Sequence, residues 1–133
     1  MTQEDKQLLL IDLCARLPYN IIVKPQNDKM GRLISVEVTD ERLVYVDRGP
    51  NSADEYDLNE EIVLPYLRPM SSMTEEEQKE FKNSCKIIGF YKDGEFACTP
   101  DGYDWLNEHH FDYRGLIERG LAIEVTEENN PYE

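Results

Sequence analysis

The chain is expected to fold as an α+β domain. An N-terminal helix packs on a small antiparallel sheet, curved or closed into a barrel-like form, and a helical C-terminal part follows with a short final strand. Three observations predict this. Apolar residues recur at helical spacing before Pro18. Between Ile21 and Leu67 the period changes to two, with β-branched residues enriched. Beyond Arg68 the signals that open and close helices return.

The first helix opens at Thr2, a capping residue, with Glu4 and Asp5 in its positive first turn. Leu10, Leu13, Cys14 and Leu17 form its apolar stripe, widened by Leu9, and Pro18 ends it. Ile21 and Val23 then alternate, and Pro25 through Gly31 reads as a turn. Ile34, Val36 and Val38 share one strand face. Asp40-Glu41 connects them to a strand carrying Val44 and Val46, which gives an antiparallel hairpin. Residues 48–55 read as a polar breaker. Glu61 to Leu67 is a further strand, in which Pro65 points to an edge or a strand end because it cannot donate to a ladder.

Thr74 and Glu77 form a capping box, opening a surface helix whose clearest apolar residue is Phe81. Lys86 to Cys98 reads as a hairpin around Asp93-Gly94. Thr99-Pro100 starts the next helix, which runs to about His109 or His110. Asp112 caps a short helix that Gly120 closes in a left-handed conformation, with Leu121 folding back on Leu116. Leu121, Ile123 and Val125 alternate as the last strand. Residues 1–125 therefore form one domain, and 126–133 an acidic, flexible tail.

The charge balance restricts the function. With 28 acidic and 14 basic residues, the formal charge is −14. Phosphate backbones and anionic headgroups are bound by clustered Lys and Arg, so direct binding to nucleic acid or membrane is disfavoured and a basic protein partner is favoured. Cys14, Cys85 and Cys98 are odd in number and widely spaced, which encodes neither a disulfide framework nor a zinc site. The polar, acidic N-terminus lacks the pattern of a signal peptide, and no run is long enough to span a bilayer. A cytoplasmic protein is expected.

Three segments carry a resemblance. Asp12 to Tyr19 (DLCARLPY), Pro65 to Glu77 (PYLRPMSSMTEEE) and Trp105 to Glu124 (WLNEHHFDYRGLIERGLAIE) resemble a group of small uncharacterised proteins of gut anaerobic bacteria and their phages or mobile elements. The resemblance implies a bacterial, cytoplasmic setting and a mobile-element origin. It implies no activity, cofactor or catalytic residue.

Two constellations could carry function. His109 and His110, with Asp104 and Asp112, supply imidazole and carboxylate donors suited to zinc, manganese or iron. Geometry opposes that reading, since adjacent helical residues point about 100° apart. Tyr103, Trp105, Tyr113 and Arg114 are the aromatic and guanidinium types that anchor interfaces. No glycine elbow surrounds a serine, and no Gly-rich loop could hold phosphate or a cofactor. The reading is a non-enzymatic acidic interaction protein, with a metal-binding protein or metal-dependent enzyme as the alternative.

Overall fold

A computed structural model of the chain describes residues 1–39, 42–85 and 99–133. The connection expected at Asp40-Glu41 and the hairpin expected at Lys86 to Cys98 lie outside these residues. Helix α1 spans Gln3–Arg16 and a single 3-10 turn carries the chain through Leu17–Tyr19. Thr2 accepts from the Asp5 amide at 3.0 Å, and the Asp5 carboxylate returns to the Thr2 amide at 3.4 Å. The N-terminus is thus closed by a full capping box.

Five strands follow: β1 (Ile22–Pro25), β2 (Gly31–Val38), β3 (Arg42–Gly49), β4 (Ser52–Asp57) and β5 (Val63–Pro69). They are antiparallel in the order β4-β3-β2-β1-β5. Helix α2 (Glu75–Cys85), helix α3 (Pro100–Glu108) and two-residue strands β6 (Phe111–Asp112) and β7 (Ile123–Glu124) complete the described elements. Both short strands join β5 in parallel. The sheet is therefore mixed and open, neither wholly antiparallel nor closed into a barrel. Its end strands β4 and β6 do not pair with each other.

Strand β4 falls in the stretch read as a polar breaker. It is an edge strand, so Ala53, Asp54 and Glu55 face solvent and only Tyr56 turns inward. The Tyr56 phenol donates to Asp28 at 2.6 Å and accepts from Arg48 at 2.9 Å, which ties the edge to the β1–β2 loop. Gly31 is required where β2 meets β3. A Cβ there would lie 2.6 Å from Val46 Cγ1 and 2.9 Å from the Asp47 carbonyl oxygen. Pro65 sits in mid-strand, where β1 covers one side while β7 and β6 begin only at Tyr66 and Arg68.

The main core lies between α1 and the sheet. Leu9, Leu10 and Leu13 meet Ile21, Val23, Val44 and Leu67, and Leu116 and Leu121 close one end. A smaller core gathers Trp105, Leu106 and Phe111, with Met70, Met73 and Phe81 packed on it. It seats α2 and α3. Arg68 fastens this unit, donating to both Glu77 oxygens at 2.7 and 2.8 Å while lying 4.2 Å over the Phe111 ring. That guanidinium holds the Glu77 carboxyl down at about 2. Glu77 also closes the capping box expected with Thr74.

Candidate functional site

The residues proposed from the sequence converge around the end of α3, but not as one cluster. Trp105 is buried. Its ring lies 5.7 Å from Phe111, 5.5 Å from Phe81 and 4.1 Å from His109, so it belongs to the smaller core. Asp104 faces the other way and accepts the Tyr19 phenol at 3.1 Å.

Asp112 is buried in β6. Its carboxylate accepts from the Leu116 and Ile117 amides, both at 2.9 Å, and so acts as the expected cap. What it caps is a turn rather than a helix. Leu121 donates to the Leu116 carbonyl and Gly120 to that of Ile117, which closes the turn as expected. Among the described residues no three His, Cys, Asp or Glu side chains could together hold a metal ion.

His109 ends α3, and His110 follows with φ +63, a left-handed conformation uncommon outside glycine. The conformation turns the His110 ring onto Tyr132, stacked at 3.8 Å. Tyr132 belongs to the segment read as an acidic tail. Its phenol donates to the Tyr66 carbonyl at 2.8 Å and accepts from the Ile22 amide at 3.1 Å. Burial pushes that phenol's pKa well up. Arg68, Glu108, His109, His110, Glu127 and Tyr132 line an open cleft of about 720 Å³.

Burial, then the neighbouring Arg16 charge, hold the His110 imidazole down at about 4, against 6.5 for an unperturbed ring. The ring is therefore neutral at pH 7 in the folded chain and mostly neutral in the unfolded one. Below 6.5 the unfolded chain takes up a proton that the folded chain refuses until about pH 4. Stability must fall with pH across that window and level off beneath it. Because the ring is partly exposed, we expect His110→Gln to remove only about 1–2 kcal/mol of this loss. Urea midpoints at neutral pH and at about pH 5 test it. Parallel pH dependence in the two proteins would contradict the assignment.

Beside the stack lies a buried charge network whose main members the sequence reading did not single out. Asp12 and Arg16 of α1 are both fully buried. Arg16 donates through Nε to Asp12 at 2.8 Å and through Nη2 to the Phe111 carbonyl at 2.7 Å. Arg114 donates to the other Asp12 oxygen at 2.9 Å. The only sequence signal was an acid and a base four apart on one helix, which ordinarily marks a solvated pair.

Arg114 and Arg16 both approach the Tyr113 ring, at 4.7 and 5.1 Å from its centroid. Tyr113 packs against Tyr103 at 5.1 Å and donates its hydroxyl to Asn107 at 2.8 Å. Ala15, Tyr103, Asn107, Tyr113 and Arg114 then line a hollow of about 380 Å³. Three of the four interface candidates are thus brought to one place, while the fourth, Trp105, is packed away in the smaller core. Among the described residues no helix is long and apolar enough to cross a membrane. No family model, curated protein or solved structure matches the chain.

Proposed function

We propose that this chain is a non-enzymatic acidic interaction protein, an accessory factor of a bacterial mobile element or phage, that docks a basic protein partner. The observation that carries the reading is the face built around the hollow. Ile11, 45% exposed, and Cys14, also exposed, stand on the α1 surface beside Ala15, which lines the hollow. Residues four apart on a helix share a face, so Ile11 lies one turn from Ala15 on the side of α1 that borders the hollow. Its aromatic and guanidinium anchors are held in place by their own contacts, which lowers the ordering cost of binding. Asp104 and Glu108 on α3 add negative charge near it, and a net charge of −14 would steer a basic partner. The mobile-element setting rests on the resemblance of the three sequence segments.

The test is capture of the tagged protein's partner from its host lysate, followed by binding of the purified pair. A basic protein at one-to-one stoichiometry is expected, weakening as salt rises. Ile11→Arg should reduce its affinity by at least about tenfold without changing thermal stability. A partner bound equally well by Ile11→Arg would place the interface elsewhere. Stoichiometric metal in the eluate without a partner would favour the metal-binding alternative.

A further inference from the structure

We infer that the hollow lined by Ala15, Tyr103, Asn107, Tyr113 and Arg114 binds a carboxylate, presented by an Asp or Glu side chain of the protein partner. The inference rests on the interface reading above and assigns the chemistry at its centre.

The first ground is that two guanidinium groups compete for one partner beside the hollow. One carboxylate, Asp12, pairs with two guanidinium groups, Arg16 and Arg114. Asp112, the neighbouring buried acid, spends both its oxygens on backbone amides. With Asp112 counted the buried charges balance, but among the described residues neither guanidinium is ion-paired with Asp112, so the two share the single Asp12 carboxylate. Arg16 is fully buried and its Nη1 has no hydrogen-bond partner among the described residues. Arg114 is 24% exposed in its side chain and lines the hollow, so the half-shared guanidinium is presented there.

The second ground is an unused donor in the wall. Asn107 is only 6% exposed, and its Oδ1 is occupied by the Tyr113 hydroxyl. Its amide NH2 makes no hydrogen bond among the described residues. Of the Arg114 donors, only Nη1 is engaged there, with Asp12. The hollow therefore offers a planar fork and an amide, all donors, beside two aromatic rings. That set matches a planar carboxylate, which a guanidinium takes with two parallel bonds. A volume of about 380 Å³ leaves room for one acidic side chain. Asp104 and Glu108 would reject an acid on a uniformly acidic partner. They favour a carboxylate flanked by Lys or Arg, so the field and the hollow together specify an epitope of alternating charge.

The experiment is an NMR titration of the full chain with N-acetylglutamic acid amide, N-acetylglutamine amide and inorganic phosphate. The glutamate compound is expected to bind in the millimolar range and shift the signals of Tyr103, Asn107, Tyr113 and Arg114. The glutamine compound should fail. Arg114→Gln should weaken glutamate binding by about tenfold, the value of a charge-assisted bond. Asn107→Asp keeps an acceptor for Tyr113 but swaps the donor for an anion, and it should abolish binding even if Arg114→Gln does not fold. Equal shifts with glutamate and glutamine, unimpaired binding by Asn107→Asp, or tighter binding of phosphate would each overturn the assignment. Glutamate binding without a captured partner would remove the interface reading and leave the carboxylate site. A captured partner without glutamate binding would do the reverse.

Discussion

Replacing Asp12 with alanine is expected to destabilise the protein by about 3–5 kcal/mol, enough to unfold much of a marginal domain. The carboxylate is fully buried and accepts from Arg16 and Arg114 at 2.8 and 2.9 Å. Its loss strands the Arg16 guanidinium, which has no route to water and keeps only the Phe111 carbonyl. Removing one partner of a buried pair costs far more than the pair contributes, because the remaining charge stays desolvated. Replacing Asp12 and Arg16 together by Leu and Met should therefore recover much of the loss. Arg114, partly exposed, can turn to solvent. Urea denaturation of the two variants measures this directly. An Asp12→Ala protein weakened by less than about 1 kcal/mol would mean that the network is not closed to water.

Trp105→Ala should be nearly as severe, at about 3–5 kcal/mol. Its ring joins Phe81 of α2 to His109 and Phe111, the apolar seat of α2 in the smaller core. The effect should be uneven, with amide exchange in α2 accelerating before exchange in the β2–β3 ladder. Hydrogen exchange read residue by residue resolves the two regions. Should Trp105→Ala leave stability intact and abolish partner capture, the indole would be an interface anchor and not a core residue.

The sequence carried the parts of the fold that depend on local chemistry. Thr2, Thr74 and Thr99 announced three helix starts, and Gly120 with Leu121 announced a turn closure. The Val44 and Val46 alternation announced the hairpin because one face of β3 is buried. Strand β4 was illegible because an edge strand needs no apolar alternation, and Tyr56 alone betrays it. Strand β6 was hidden because the Asp112 side chain caps a turn while its backbone pairs with Pro69. Parallel pairing to β5 leaves no local mark at all.

The same division holds for the site. Tyr103, Tyr113 and Arg114 were visible as residue types suited to an interface. Trp105 shares that chemistry, and only packing separates a buried indole from an exposed one. Asp12 and Arg16 looked like an ordinary helical ion pair. What changes their meaning is Arg114, 102 residues away.

Tyr132 gives the molecule a timetable. Its hydroxyl joins the Ile22 amide to the Tyr66 carbonyl, spanning 110 and 66 residues of chain. On a ribosome, α1 and the β2–β3 hairpin can form as they emerge, since their contacts are local. The β1–β5 ladder can form once β5 has emerged, but its end at Ile22 and Tyr66 has to wait for a residue made later, and until then those two backbone groups depend on water. A nascent chain would therefore carry that end of the seam unbridged until residue 132 has left the exit tunnel.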